Sequence, residues 1–252
     1  MHVDVNQLKN FYYRSDLGRA AQRAIRQQLV HMWPAPSAKG QSVVGFGFAN
    51  PLLRPYLKEA RRVVSLMPGP QGVMPWPVGD PNVAVLCEET LWPIETGHVD
   101  KLVLLHGLDT SDHPAALLEE CYRTLGPGGR AIFIVPQRTG LWARKEGTPF
   151  FYSRPFSVSQ LETRLKAHGL IMERCNTALY QPPWETTFWL KAGDFLEKSG
   201  QRIPAWRGGG VLMMEVSKQV PRPTRPGLGI RVSSPLSVLD GVRSPEPSLN
   251  RG

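Results

Sequence analysis

Short apolar runs bounded by glycine, proline or charged residues recur through the middle of the chain, at Ser42–Phe46, Arg62–Leu66, Asn82–Cys87, Asp100–His106 and Arg130–Pro136. They carry little polar alternation, the pattern of strands buried on both faces. Helical periodicity falls between several of them, with Pro51–Ala60 after the first run and Pro114–Leu125 after the fourth. Such alternation predicts a parallel sheet with helices on its faces. Ahead of the runs, Ser15 or Asp16 to His31 reads as an amphipathic helix, with Ser15 as its cap and Leu17, Ala21, Ala24, Ile25 and Leu29 on one face. After the fifth run come a loop at Gln137–Pro155, a helix at Ser157–His168 closed by Gly169, and strands at Leu170–Thr177 and Val211–Lys218. The stretch between those strands, residues 178–210, is too long for a hairpin turn and includes a helical piece near Lys191–Ser199, so it reads as a functional insertion. The expected architecture is α/β: a seven-stranded sheet, mainly parallel, with helices on its faces. Residues 1–220 read as one domain, and the Pro-, Ser- and Arg-rich residues 221–252 as a disordered tail.

Composition narrows the function. The chain has 252 residues, 41% of them hydrophobic, enough for a sizeable core. Its 30 Lys and Arg against 21 Asp and Glu leave a formal charge of +9. Five arginines against Asp240 and Glu246 put +3 of that charge in the tail, and no block of like charge stands elsewhere. A nucleic-acid partner is therefore not expected from charge pattern. Cys87, Cys121 and Cys175 form an odd, widely spaced set without a CxxC pair, which fits neither a disulfide framework nor a metal site. The first ten residues carry no apolar run of signal-peptide type, and the longest strongly apolar stretch, Leu102–Leu105, is far too short for a membrane span. A cytoplasmic protein is the expectation.

The chemistry-bearing stretch is Ser42-Val-Val-Gly-Phe-Gly-Phe-Ala-Asn50, a strand running through Gly45-x-Gly47-x-Ala49 towards a helix. Glycines at the end of a first parallel strand let the backbone turn sharply and let a ligand approach. A helix N-terminus beyond them offers free N–H groups to an anion. A tight turn without a ligand gives the same pattern.

Two later stretches add to it. Leu125-Gly-Pro-Gly-Gly-Arg130 precedes the fifth strand, and Glu88-Glu-Thr-Leu-Trp-Pro-Ile-Glu-Thr-Gly-His-Val-Asp100 joins the third to the fourth. In order and spacing these motifs resemble the class I S-adenosylmethionine-dependent methyltransferases, specifically the small-molecule, type 11-like group, over residues 40–177 and the final strand. The resemblance implies a doubly wound sheet with its last strand antiparallel and the N-terminal helix over the site, S-adenosylmethionine as cofactor and a small apolar or aromatic acceptor. It would bring Gly45, Gly47 and Ala49 near the methionine part of the cofactor and Glu88 with Glu89 near the adenine amino group. Met67 would stand at the ribose end of the second strand. His106 would lie at the end of the fourth, beside the reacting methyl, with Asp109, His113 and Pro127-Gly128-Gly129 flanking that edge or supporting the fold.

Two positions depart from the family pattern. Val43 stands where an acid opens the glycine motif, and Leu66 or Met67 where an acid holds the ribose hydroxyls. Each charge-assisted hydrogen bond so lost is worth about 1.5–3 kcal/mol. Either the ribose is held otherwise, with Gln71 a candidate, or cofactor binding is weak or lost. A catalytically inactive binding or partner protein on the same fold is thus the alternative, and RNA-directed methylation, motivated by the +9 charge and the basic loop after the fifth strand, a further one. His106 is the candidate base, because an imidazole with a pKa of about 6.5 suits proton removal near neutrality. Trp76, Trp92, Trp142, Phe150, Phe151, Tyr152, Trp184 and Trp189 are candidates for a pocket wall, and Arg138, Arg144 and Lys145 for meeting an acidic substrate; plain loop packing and a solvated basic loop explain them equally well.

Overall fold

The computed structural model describes residues 3–184 and 208–219. Seven strands, β1 (Ser42–Gly47), β2 (Arg62–Pro68), β3 (Ala84–Cys87), β4 (Val99–Leu105), β5 (Leu125–Pro136), β6 (Leu170–Ala178) and β7 (Val211–Lys218), form one sheet in the order β3-β2-β1-β4-β5-β7-β6. The first five run parallel, and β7 inserts antiparallel between β5 and β6. The chain works outward from β1 in one direction and then crosses back to β4, so the sheet has its switch point between β1 and β4. The long insertion is described only at its two ends; its helical piece, Trp189 and the tail lie outside the described residues.

Two apolar layers follow from alternate residues along the same strands. Val43, Met67, Val103, Leu105, Ile132 and Met213 pack on one face against α1 (Val5–Lys9), α2 (Asp16–Met32) and α3 (Asn50–Leu53). Val44, Leu66, Leu102, Leu104, Phe133 and Met214 pack on the other against α4 (Pro114–Thr124) and α5 (Val158–Ala167). Each fully buried aliphatic or aromatic side chain contributes roughly 1.5–3 kcal/mol. Among the described residues no helix is long and apolar enough to cross a membrane.

The helices correct the sequence reading in two places. The element expected at Pro51–Ala60 shortens to α3 followed by a 3-10 turn, Arg54–Tyr56. Pro55 explains this: a proline inside a helix lacks the N–H and collides with the preceding turn. The N-terminal residues, without a periodic signal, form α1 and a π turn, Asn10–Arg14, before α2 begins at its Ser15 cap. The α5 start is as read, with a capping box between Ser157 and Gln160. The Leu125–Arg130 turn is absorbed into β5, where a Cβ on Gly126 would stand 2.7 Å from the Gly97 carbonyl and one on Gly129 2.8 Å from that of Val99. Those glycines are there for close backbone approach.

A buried acid ties α2 to the sheet. Glu215 on β7 accepts from Trp33 Nε1 at 2.9 Å and from Arg130 Nη1 at 3.0 Å, and also pairs with Arg174. Arg174 donates in turn to the Met32 carbonyl, satisfying an orphan acceptor of the last turn of α2. Lys101 lies 4.6 Å over the Trp33 ring.

Candidate functional site

At the switch point β1 ends in the glycine bend. A Cβ on Gly45 would meet Leu53 Cδ1 at 2.7 Å and Ala49 Cβ at 2.8 Å, so this glycine lets α3 sit directly on the strand. Gly47, with φ +78°, lies against the tip of β4, where a Cβ would stand 2.4 Å from the Leu105 carbonyl. Ala49 is buried beneath the bend. Met67 is buried as well, its sulfur accepting from Asn50 Nδ2, and Asn50 Oδ1 accepts from Ser65 Oγ.

Beyond Leu105 the chain bends through His106, at φ +49°, a left-handed conformation that costs a non-glycine residue of order 1–3 kcal/mol. The bend turns the imidazole inward. Its Nε2 lies 2.7 Å from Tyr12 Oη, and its Nδ1 lies 3.4 Å from Asp109 Oδ2, near enough for attraction but without a hydrogen bond. Phe150 packs 5.0 Å from the ring. Gln71, from the turn after β2, reaches across to donate to the His106 carbonyl at 3.3 Å. All of these side chains are buried. Burial, and secondarily the neighbouring Asp109, holds the Tyr12 phenol well above its usual pKa, so it stays protonated. Gln71 Oε1, His106 Nδ1, both Asp109 carboxyl oxygens and Ser111 Oγ are buried with no hydrogen-bond partner among the described residues. Such groups cost about 1–3 kcal/mol each.

The N-terminal segment supplies the cover. The Val5 N–H donates to the Gln71 carbonyl at 2.8 Å, and the π turn, a form concentrated at functional sites, drops Tyr12 onto Phe48 with ring centroids 5.5 Å apart. Tyr12, Phe48, Gln71 and Met67 thus fill the space above the bend. At the end of β2 stand Leu66, Met67 and Pro68, so among the described residues no carboxylate closes that strand.

The remaining candidates scatter. Glu88 is exposed; Glu89 is buried with Oε1 unpartnered, while its carbonyl accepts from Trp92 Nε1. Trp92 stacks on Phe46 in the opposite layer, and Trp76, Trp142 and Phe150 are core rings, so packing accounts for them. Phe151, Tyr152 and Trp184 are exposed. The sequence reading missed Tyr12. Its signal was the Phe11-Tyr-Tyr13 run immediately ahead of the Ser15 cap.

No family model matches the chain, and no curated protein matches it in sequence. Solved structures do match in shape. A S-adenosylmethionine-dependent methyltransferase of Thermotoga maritima superposes with a TM-score of 0.59 at 17% identity, covering 85% of this chain and 96% of that one. A Haloferax volcanii protein described as a methyltransferase, solved with an activator protein, gives 0.60 at 15% identity, covering 84% and 98%. The geranyl diphosphate C-methyltransferase of Streptomyces coelicolor, solved with S-adenosyl-L-homocysteine, gives 0.52 at 14%, covering 78% and 80%. The fold is that of the class I methyltransferases. In this methyltransferase fold His106 occupies the end of β4 at the switch point, where open α/β sheets place ligands.

Proposed function

We propose that the chain is a S-adenosylmethionine-dependent methyltransferase for a small apolar or aromatic acceptor, with its cofactor crevice closed by residues 3–14. The observation behind this reading is the cluster of unpartnered buried polar atoms on Gln71, His106 and Asp109 beneath Tyr12, at the switch point of a methyltransferase fold. Buried polar groups are normally paired, and the exceptions concentrate where a ligand or a reaction uses them. S-adenosylmethionine supplies an activated methyl group when bound. The chain's own residues align and deprotonate. With Tyr12 turned away, His106 Nε2 is free to take a proton from an acceptor hydroxyl, and Asp109 beside Nδ1 keeps the ring oriented. Gly45, Gly47, Ala49 and Met67 would border the cofactor, with Glu88 and Glu89 towards its adenine.

A candidate acceptor site of mixed polar and aromatic lining lies next door. A cavity of about 320 Å³ between the N-terminal segment and the loop after β5 is lined by Val3, Gln7, Phe11, Thr148, Pro149 and Tyr152. Phe150, 6.4 Å from Phe11 and 5.0 Å from His106, and Tyr12 lie between it and the imidazole.

The filled crevice favours a second reading, a binding or partner protein without catalysis. The edge strand β3 supports it, because Val85 and Leu86 are exposed there and a free strand edge can accept an added strand. Calorimetric titration of S-adenosyl-L-homocysteine into the full chain and into Tyr12→Ala separates the two. The enzyme reading expects binding to both and tighter binding to Tyr12→Ala, since each 1.4 kcal/mol or so of closure lowers apparent affinity about tenfold. No heat from either protein at millimolar ligand removes the enzyme reading and leaves the partner one.

A further inference from the structure

We propose that the outer face of α5, with the end of the loop before it, is a groove that binds single-stranded nucleic acid through its phosphodiester backbone. The groove lies outside the crevice, and the proposal stands whether or not S-adenosylmethionine binds.

The groove measures about 660 Å³ and is lined by Arg138, Arg154, Arg164 and His168, with Gln160 and Thr163 between them. Among the described residues no carboxylate lines it. The three arginines are exposed, and none has an ion-pair partner among the described residues. Like charges gathered without a counter-charge repel one another, and a bound polyanion relieves that repulsion. Two of the three are held in place: Arg164 lies 5.7 Å over the Phe156 ring, and Arg138 donates to the Pro155 carbonyl at 3.5 Å. Each guanidinium keeps further N–H donors for the groove.

Spacing chooses the class of anion. Gln160 and Arg164 lie one turn apart on α5 and His168 at its C-cap, while Arg154 and Arg138 sit beyond its N-terminal end. At about 1.5 Å of rise per residue, Arg164 stands roughly 10 Å and His168 roughly 16 Å along the axis from the Ser157 cap. One phosphate cannot span that distance, and a strand of repeating phosphates can. Arginine suits phosphate oxygens through paired N–H donors, and Gln160 and Thr163 are the neutral side-chain types that also contact nucleic-acid backbones. An acidic peptide would need pockets for its intervening side chains, and the one large ring here, Phe156, is buried under Arg164.

Fluorescence anisotropy of the full chain with a labelled single-stranded RNA oligonucleotide, repeated over a salt series, is the test. Neutralising three phosphates predicts a slope of log affinity on log salt of about −2, near −0.7 per phosphate. Each of Arg138→Ala, Arg154→Ala and Arg164→Ala should flatten the slope by about 0.7, and the triple variant should lose it, while thermal melting shows the fold intact. Absence of binding at low salt overturns the proposal. So does a triple variant that binds as tightly as the parent, because diffuse charge then suffices. Competition by poly-glutamate as effective as by an oligonucleotide of equal charge also overturns it, in favour of an acidic protein partner.

Discussion

Two buried acids have opposite surroundings. Glu215, in the middle of β7, is met by Trp33, Arg130 and Arg174, so its oxygens are matched to donors from three parts of the fold. Burial pushes its carboxyl up, but the hydrogen bonds from Trp33, Arg174 and Arg130 together outweigh it and hold the pKa below the usual carboxylate range. Asp109, just past β4, is as deeply buried yet accepts no hydrogen bond among the described residues, with His106 Nδ1 3.4 Å from its Oδ2. A satisfied buried network fixes geometry, whereas an unsatisfied one costs stability and persists where something else needs it. The first is a structural tie, and the second stands unsatisfied at the switch point of the sheet.

The largest effect should come from breaking the tie. Glu215→Ala should destabilise by about 3 kcal/mol, at the low end for a buried pair because Arg130 and Arg174 still reach water. Thermal denaturation should show a fall of about 6–12 °C. The same carboxyl sets a pH dependence. Its folded pKa lies below its unfolded value, so its contribution is present above the ordinary Glu range near pH 4.3 and is lost as pH falls through the depressed value. Glu215→Gln should lack that component of acid unfolding in a pH-dependent melting series.

Tyr12→Phe comes next, at about 1–3 kcal/mol, because it strands His106 Nε2 without a partner. It should also raise the rate of amide hydrogen exchange at Val5 and Leu8 if Tyr12 holds the N-terminal cover down. Asp109→Asn sharpens the comparison through its sign: replacing a carboxyl that no hydrogen bond satisfies should leave the stability read from thermal melting unchanged or raise it by about 1 kcal/mol. A loss as large as that of Glu215→Ala would show that the two acids do the same job. Ser157→Ala, which removes only the α5 cap, should cost about 1 kcal/mol and lower the melting temperature by about 2–4 °C.

Much of the sheet was legible because its strands are buried on both faces and read as unbroken apolar runs. Val211–Lys218 was placed to the residue, and Ser157 and Gly169 marked the ends of α5 through their own backbone chemistry. Pro55 was in plain view, yet the helical reading ran through it. The crevice was less legible. Gly45 and Gly47 were read as making room for a ligand, while in the fold they make room for Leu53 and the β4 backbone. A glycine reports only that something comes close. Tyr12 is separated from His106 by 94 residues, and no local pattern predicts that pairing.

Local rules acting on the sequence alone were enough to determine the α/β alternation and the placing of His106 at the end of β4, since burial period, caps and turn residues act over a few neighbours; the reversed last strand came only through the family resemblance. Only the tertiary structure decided that Tyr12 and Gln71 close over the glycine bend, that Glu215 is satisfied and Asp109 is not, and that Arg138, Arg154 and Arg164 share one groove. Those outcomes depend on distance through space, and a charge or a hydrogen bond acts on whatever folding brings within a few ångströms, however far away it lies along the chain.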